Sequence, residues 1–345
     1  MKGLRKYLTP FAPDQSGAVS VLYELGGMLV ICDAGGCTGN VCGFDEPRWF
    51  ETRSAVFSAG LRDMDAILGR DDRLVAKLAD AAEKLDVTFA AVIGTPIPAV
   101  IGTDYRALER MLSKKTDLSV LTVNTDGMEL YDKGEEKAYL ALFEKFSDKN
   151  EESEDMNDKD RPRIGIIGMT PQDVSDLKAA DKIRKVYADQ GMCAICYGMG
   201  DGLDEVRNAS LAAKNVVVSP AALKAAQYLQ KKFGTPYEIA YPLASELVPE
   251  VNYQGKKILI VQQQVIANAV RKEIEKRTGE KEAITTATWF MRKEEILTDL
   301  DVDAADDISL KEEDDFISLV EKEGYDVIFA DPCMERMIPG FEGTF

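Results

Sequence analysis

The sequence has no histidine among its 345 residues. Imidazole is the side chain that titrates near neutral pH, acts in serine and cysteine triads, and ligates much of the catalytic zinc and haem iron in proteins. The absence of histidine excludes those chemistries. Any reaction of this chain therefore depends on thiols, carboxylates, basic side chains, tyrosines, backbone amides or a bound cofactor.

Basic residues are also few relative to acidic ones. The chain has 42 Lys and Arg against 60 Asp and Glu, a formal net charge of −18, and this charge repels nucleic-acid phosphates and anionic lipids. No apolar run approaches the roughly 20 residues of a membrane span. The basic N-terminus is not followed by the apolar stretch of a secretory signal. We therefore expect a cytoplasmic protein that binds neither nucleic acid nor membranes, with its six cysteines as thiols or metal ligands rather than disulfides.

Segments of helical period alternate with short runs rich in Val and Ile along most of the chain, which is typical of βαβ units around parallel sheets. Three such blocks predict an α/β fold with three Rossmann-like, doubly wound domains. The predicted boundaries are 1–146, 162–250 and 251–345, with 147–161 as an acidic linker or insertion. A second acidic stretch, 299–315, is expected to be a surface excursion of the third domain.

The most informative segment is a glycine-rich turn at 33–40 (DAGGCTGN), directly after a predicted buried strand at 28–32. Small residues leave the backbone open to close approach by a ligand. The amides of Gly35, Gly36 and Gly39 are therefore candidates for cofactor binding.

Three cysteines, Cys32, Cys37 and Cys42, surround this turn at intervals of five. The spacing fits neither the C-x2-C pattern of zinc sites nor the ferredoxin run, so by itself it is weak evidence for a metal. Cys32 fits a core position at the end of a strand, and Cys42 fits a position packed under a loop. Cys37 lies within the turn itself and is the best candidate ligand.

The remaining cysteines give weaker signals. Cys193 and Cys196 form a C-x2-C pair inside a predicted strand, where positions i and i+3 point to opposite faces, so core packing is favoured. Cys333 follows a predicted strand, at the carboxyl end of a sheet where open α/β folds bind ligands, and is a weak candidate ligand. The chain contains no G-x-x-x-x-G-K-[ST] motif, so it has no P-loop for ATP.

Three segments together resemble the nitrogenase component 1 family. They are 33–37 (DAGGC), 95–104 (TPIPAVIGTD) with 123–128 (VNTDGM), and 219–237, which ends in KFGTPY. The family includes nitrogenase subunits, cofactor-assembly scaffolds, dark-operative protochlorophyllide reductase and the reductive cyclase of a nickel-tetrapyrrole pathway. The resemblance implies the family's fold and matches Cys37 to a cluster-ligating cysteine.

The chain departs from the family pattern at other ligand positions. Pro96 stands where one cluster cysteine is found, and 11–14 contains no counterpart of another. The family's large active-site cofactor is held by a cysteine, whose place falls at Val218 or Ser219, and by a histidine. The resemblance therefore implies no molybdenum-type cofactor and leaves a simpler iron–sulfur cluster, [4Fe–4S].

Such a cluster on the two-fold axis of a homodimer takes two ligands from each chain. Cys37 with Cys42, or Cys37 with Cys32, would supply them. By resemblance, the protein is the catalytic component of a two-component oxidoreductase that receives electrons from an ATP-dependent, iron-protein-like reductase. Its substrate, a small molecule or a tetrapyrrole, is not identified by the sequence.

Without histidine, protons for such a reduction come from carboxylates or tyrosine. Asp33, Asp104 and Asp126 are candidates by their placement. Asp104, with Thr103, also occupies the N-cap position of a helix predicted at 105–113. Two alternatives to an enzyme remain open, namely a non-enzymatic scaffold or carrier for a metallocofactor and a cluster-free relative that binds a small molecule.

Overall fold

The structure, a computed structural model, describes residues 5–69, 71–149, 161–279 and 283–345. Most of the predicted acidic linker, at 150–160, lies outside the described residues. The strands are β1 (Met28–Ile31), β2 (Ala55–Ser58), β3 (Phe89–Ile93), β4 (Ser119–Val123), β5 (Arg163–Ile167), β6 (Cys193–Tyr197), β7 (Lys214–Val217), β8 (Tyr237–Ile239), β9 (Lys257–Val261), β10 (Ala283–Thr288), β11 (Asp307–Ser309) and β12 (Val327–Phe329). The α-helices are α1 (Asp14–Leu22), α2 (Gly36–Asn40), α3 (Asp63–Leu68), α4 (Asp71–Ala82), α5 (Pro96–Ile101), α6 (Tyr105–Lys115), α7 (Tyr131–Phe146), α8 (Ala179–Ala188), α9 (Leu203–Arg207), α10 (Leu223–Phe233), α11 (Ala244–Leu247), α12 (Gln264–Thr278), α13 (Glu294–Leu300) and α14 (Glu313–Glu323).

The first sheet has the strand order β2-β1-β3-β4, and its paired strands are parallel. β1 and β3 are buried along their whole length, as expected for strands covered on both faces. On one face, Val30 and Val92 belong to an apolar cluster with Leu78 of α4 and Leu108 of α6. Because the strands are parallel, their carboxyl ends meet at one edge and the loops that follow them lie side by side.

Two further sheets have the orders β6-β5-β7-β8 and β11-β10-β9-β12. Their central strands β5 (RIGII) and β9 (KILIV) are buried beyond the first residue. The predicted α/β fold, with three parallel sheets flanked by helices, is confirmed.

The described chain divides into two compact units. The large unit contains 11–215 and 221–237, and the small unit contains 5–10, 216–220 and 238–345. The domain boundaries inferred from the sequence stay a prediction. Within the described part of the chain, no helix combines the length and apolarity that a membrane crossing requires.

Helices α1 and α7 of the large unit approach each other at two glycines. A Cβ on Gly17 would lie 2.0 Å from the carbonyl oxygen of Tyr131, and a Cβ on Gly134 would lie 1.7 Å from the carbonyl oxygen of Asp14. Backbone cannot yield as a flexible side chain can, so only glycine permits this contact. The contact brings the N-terminal turns of both helices together.

The structure corrects the expectation that 299–315 is a surface excursion. Its residues Asp307–Ser309 form β11, an edge strand parallel to β10. The carboxylate of Asp307 is buried and accepts hydrogen bonds from Asn268 Nδ2 at 3.0 Å, Thr286 Oγ1 at 3.1 Å and Arg292 Nε at 3.2 Å. These partners offset the cost of burying the charge. An acidic segment therefore contributes a strand because residues distant in sequence donate hydrogen bonds to its buried carboxylate.

Candidate functional site

The carboxyl edge of the first sheet brings the glycine-rich turn together with the loops after β3 and β4. The Thr95 hydroxyl donates to the carbonyl oxygen of Cys32 at 2.7 Å, and the Thr125 hydroxyl donates to that of Gly94 at 2.7 Å. Both threonines are fully buried. These bonds join consecutive loops, so residues 33–45, 95–102 and 125–128 form one surface, which we call the edge surface.

Asp33 holds the glycine-rich turn closed. Its carboxylate accepts hydrogen bonds from the Thr38 amide at 2.8 Å, the Thr38 hydroxyl at 3.0 Å and the Ser58 hydroxyl at 2.6 Å. Gly35, with φ of 117°, takes a backbone conformation that favours glycine and allows the chain to turn into α2. The geometry gives Asp33 a structural task, and its proton-transfer role stays a prediction.

Cys37 lies in the first turn of α2 and is half-buried. Burial and the nearby Asp33 carboxylate raise the pKa of its thiol, and a hydrogen bond with the Thr95 side chain partly offsets this effect. A Cβ on Gly35, Gly36 or Gly39 would meet no atom within 4 Å. The space beside these glycines is therefore open, although the Gly39 amide itself donates to the Gly35 carbonyl oxygen at 3.0 Å.

Cys42 lies in a π-helical turn, Val41–Asp45, that continues directly from α2. Turns of this kind are rare and are found frequently at functional sites. Cys42 is half-buried, and burial with the nearby Glu46 carboxylate raises the pKa of its thiol. Asp45, which accepts hydrogen bonds from Ser16 Oγ at 2.7 Å and Asn40 Nδ2 at 2.8 Å, ties the turn to α1.

Arg48 anchors the segment after Cys42. Its guanidinium is buried, pairs with both carboxylate oxygens of Glu46 at 2.7 and 2.8 Å, and contacts Glu24 at 2.9 Å. It also donates to the carbonyl oxygens of Ser20 and Gly198. Sequence reasoning did not single out this residue, because the partners that give it a role lie up to 150 residues away.

Cys32 occupies the core beneath the edge surface. It is 1% exposed, belongs to the apolar cluster of the first sheet, and has a pKa raised to about 12 by burial and the Asp33 charge. Its placement agrees with the core position suggested by the sequence.

The other three cysteines lie elsewhere in the fold. Cys193 and Cys196 lie in β6, the first half-buried and the second buried. Burial raises the pKa of Cys196 to about 12. Cys333 is half-buried in a 3₁₀ turn after β12, where its amide donates to the Asp331 carboxylate at 2.9 Å. Burial and that carboxylate raise the pKa of Cys333 to about 11. None of the six cysteines forms a disulfide.

Asp104 is the N-cap of α6, as predicted, because its carboxylate accepts the Ala107 amide at 3.0 Å. Asp126 is half-buried at the edge surface and accepts the Met128 amide at 2.9 Å. Both side chains therefore stabilise local backbone. Only Asp126 of the two lies within the edge surface.

Asp14 is a buried residue of the site that sequence reasoning missed. Its carboxylate accepts the amides of Asp126 at 3.0 Å and Gly127 at 2.7 Å, and Lys137 Nζ lies 3.5 Å away. Burial raises the pKa of Asp14, although these amides act in the opposite direction. Asp14 at the start of a helix was an available signal, since acidic residues favour the first turn.

Large apolar side chains project from the edge surface. Phe44 in the π-helical turn, Val100 in α5 and Met128 in the loop after β4 are 85%, 86% and 82% exposed. Surfaces of this kind mark protein contacts, whereas single exposed apolar residues are common and need no explanation. Here three lie in the edge surface, which also contains Cys37 and Cys42.

Residues 14–243 match the sequence model of the family described as nitrogenase component 1 type oxidoreductase. The chain belongs to the nitrogenase component 1 family. Its structure is similar to nitrogenase Cp1 at pH 5, with 15% identity and a TM-score of 0.71, covering 100% of this chain and 84% of that chain. It is also similar to nitrogenase Cp1 at pH 6.5, with 12% identity and a TM-score of 0.67, covering 98% of this chain and 86% of that chain. At these identities the likeness shows the fold alone, and no curated protein sequence matches the chain significantly.

Members of the nitrogenase component 1 family bind metal–sulfur clusters, form oligomers and generally work with an iron-protein partner. In this member the family match covers the whole edge surface, including Cys37 and Cys42. Among the residues that the structure describes, no group of three or more Cys, Asp or Glu side chains is placed to hold a metal ion.

Proposed function

We propose that this protein is the catalytic-component-like subunit of a nitrogenase-like reductase. As a homodimer it binds an iron–sulfur cluster, [4Fe–4S], between the edge surfaces of two chains. It receives electrons from an ATP-dependent, iron-protein-like reductase and passes them to a small-molecule or tetrapyrrole substrate. The bound cluster supplies one-electron transfer.

The observation that carries this proposal is the pairing of two half-buried thiols with an open glycine-rich turn. Thiolates are the usual protein ligands of iron–sulfur clusters. Beside Cys37 and Cys42, a Cβ on Gly35, Gly36 or Gly39 would meet no neighbouring atom, which leaves room for the close approach of a ligand. Of these glycines, Gly35 and Gly36 offer amides that can donate to cluster sulfurs and tune their potential, whereas the Gly39 amide donates to the Gly35 carbonyl oxygen. The donor set therefore fits this group.

The homodimer follows from the ligand number. A four-iron cluster takes four ligands, and the edge surface offers two thiols. A closed two-fold dimer presents the same patch twice and so doubles the donor set. The exposed Phe44, Val100 and Met128 supply apolar area for that contact.

Burial favours Cys42 over Cys32 as the second ligand. Cys32 is enclosed by core side chains and its amide donates to the Ile93 carbonyl within the sheet edge. A cluster bound to its sulfur would have to displace that packing, at a cost that Cys42 does not incur. Cys333 lies in the small unit and remains a weaker candidate.

The test is the iron and sulfide content of protein purified without oxygen. We expect a brown protein with broad thiolate-to-iron absorbance, and the loss of both colour and iron in Cys37→Ser and Cys42→Ser. Cys193→Ser is the matched control, because Cys193 is also half-buried but lies in β6. Normal iron content in Cys37→Ser would refute the ligand assignment, and colourless wild-type protein without iron would refute the cluster.

Enzyme and scaffold are separated by turnover. An enzyme oxidises its reduced cluster repeatedly when substrate, reductase and ATP are present, and it keeps its iron. A scaffold or carrier instead gives its iron and sulfide to an acceptor protein stoichiometrically. Transfer without turnover would therefore replace the proposed activity with cofactor assembly.

A further inference from the structure

Helix α7 carries a buried carboxyl group that the proposed function does not use. Glu135 is fully buried and faces the loop after β5. The Thr170 hydroxyl donates to Glu135 Oε1 at 2.5 Å. The other oxygen, Oε2, is shielded from solvent and has no hydrogen-bond partner. Buried polar atoms almost always find a partner, so this bare oxygen requires an explanation.

A second buried carboxyl lies next to Glu135. Asp173 comes from the same loop as Thr170, and its Oδ1 accepts a hydrogen bond from the Tyr131 hydroxyl at 3.0 Å. The two carboxylates repel each other. Two negative charges in one buried site are not both stable, and the site lowers its energy by holding a proton.

The other charged and titratable groups around Glu135 do not neutralise it. From α7, Asp132 adds negative charge, and the hydroxyls of Tyr131 and Tyr139 face the same region. Among the cations, Arg48 acts most strongly on Glu135. The Arg48 guanidinium is already paired with Glu46 and Glu24. The negative charges of these two partners offset the attraction between Arg48 and a Glu135 carboxylate.

We propose that Glu135 is a proton-binding site, protonated at neutral pH, and that it is an internal acid of this chain. With the proton on Glu135, the buried pair carries one negative charge instead of two, and a neutral carboxyl oxygen without a partner costs less to bury than a carboxylate oxygen. Burial and the Asp173 charge act in this direction, because both raise the pKa of Glu135 well above its usual range.

Glu135 is a weak acid when it holds this proton. On discharge it gives H⁺ to a base and becomes a carboxylate beside Asp173, which is an unfavourable state. Only a strongly basic acceptor therefore removes the proton.

The experiment is infrared spectroscopy of the purified protein at neutral pH, without partner, reductant or substrate. We expect a carbonyl band of a protonated carboxyl that shifts in D₂O and is lost in Glu135→Gln. Glu144→Gln is the matched control, because Glu144 lies on the same helix but is exposed, and it should retain the band. Absence of the band, or its persistence in Glu135→Gln, would overturn the proposal.

A second variant keeps the proposal testable if Glu135→Gln fails to fold. Asp173→Asn removes the neighbouring negative charge, so the Glu135 band should disappear at a lower pH than in the wild type. An unchanged titration would contradict the coupling of the two groups. Because none of these spectra depends on turnover, failure of the reductase proposal would leave their outcome unaffected.

Discussion

The carboxylate of Asp33 accepts a hydrogen bond from the backbone amide of Thr38 at 2.8 Å. The two residues enclose the glycine-rich turn, and Cys37 lies between them. Ser58 at the end of β2 donates to the same carboxylate at 2.6 Å, so the turn is fixed to the rigid sheet. The position of the Cys37 thiol therefore depends on a buried carboxylate four residues before it.

Asp33→Asn is expected to destabilise this turn. The new amide keeps one acceptor oxygen but loses the negative charge, so the hydrogen bonds that now go to a carboxylate weaken or lose their acceptor, at a cost of about 1–3 kcal/mol. Urea denaturation measures this loss. Asp104→Asn is the matched control, since Asp104 is an exposed N-cap and Asn caps helices as well as Asp does. Equal stabilities of the two variants would contradict the assigned role of Asp33.

Local signals made much of this fold predictable, and long-range partners account for what was missed. The strands β1, β3 and β9 follow from short apolar runs, and the cap at Asp104 follows from its place before a helical pattern. The acidic sequence around Asp307 predicts an exposed segment, but Asp307 is buried in a strand because Asn268, 39 residues away, donates a hydrogen bond to it. No local pattern reveals such a partner.

The candidate site and the buried charged groups outside it show the same division. The glycine-rich turn and Cys37 are visible in the sequence because small residues and a thiol stand together. The roles of Arg48 and Glu135 are not visible in the sequence, because a charged side chain is expected at the surface. Their burial depends on partners such as Gly198 and Thr170, which only the folded chain brings near.

Gly134→Ala should disrupt the contact between α1 and α7. Its Cβ would lie 1.7 Å from the Asp14 carbonyl oxygen, so the helices must separate, and overpacking of this kind costs about 1–3 kcal/mol or more. Gly39→Ala in α2 is the control, measured on protein without iron. A Cβ on Gly39 meets open space, and alanine favours helix by up to about 1 kcal/mol. Similar losses in thermal stability for both variants would rule out the proposed steric cause.

Glu135→Gln should change how stability depends on pH. The folded-state pKa of Glu135 is raised, so its stabilising contribution is fully present below the unfolded pKa of about 4.3. That contribution is lost as the pH rises towards the folded value. Gln cannot ionise, so the variant gains stability relative to wild type at up to about 1.4 kcal/mol per pH unit above about pH 4.3. Denaturation at a series of pH values measures this difference in stability. The control Glu144→Gln should show no such dependence on pH. If the stability difference between Glu135→Gln and the wild type were constant with pH, Glu135 would not take up a proton on folding.

Val100→Asp should weaken the proposed homodimer. Val100 is 86% exposed on the edge surface, and a charge there would be buried in the proposed contact of both chains, where its desolvation opposes association. We expect at least about a tenfold rise in the dissociation constant, about 1.4 kcal/mol, measured by sedimentation. Val251→Asp is the control, because Val251 is also an exposed valine but belongs to the small unit. If both variants dissociate alike, or if neither does, the edge surface is not the dimer contact. In that case a second chain does not supply the missing cluster ligands at this surface.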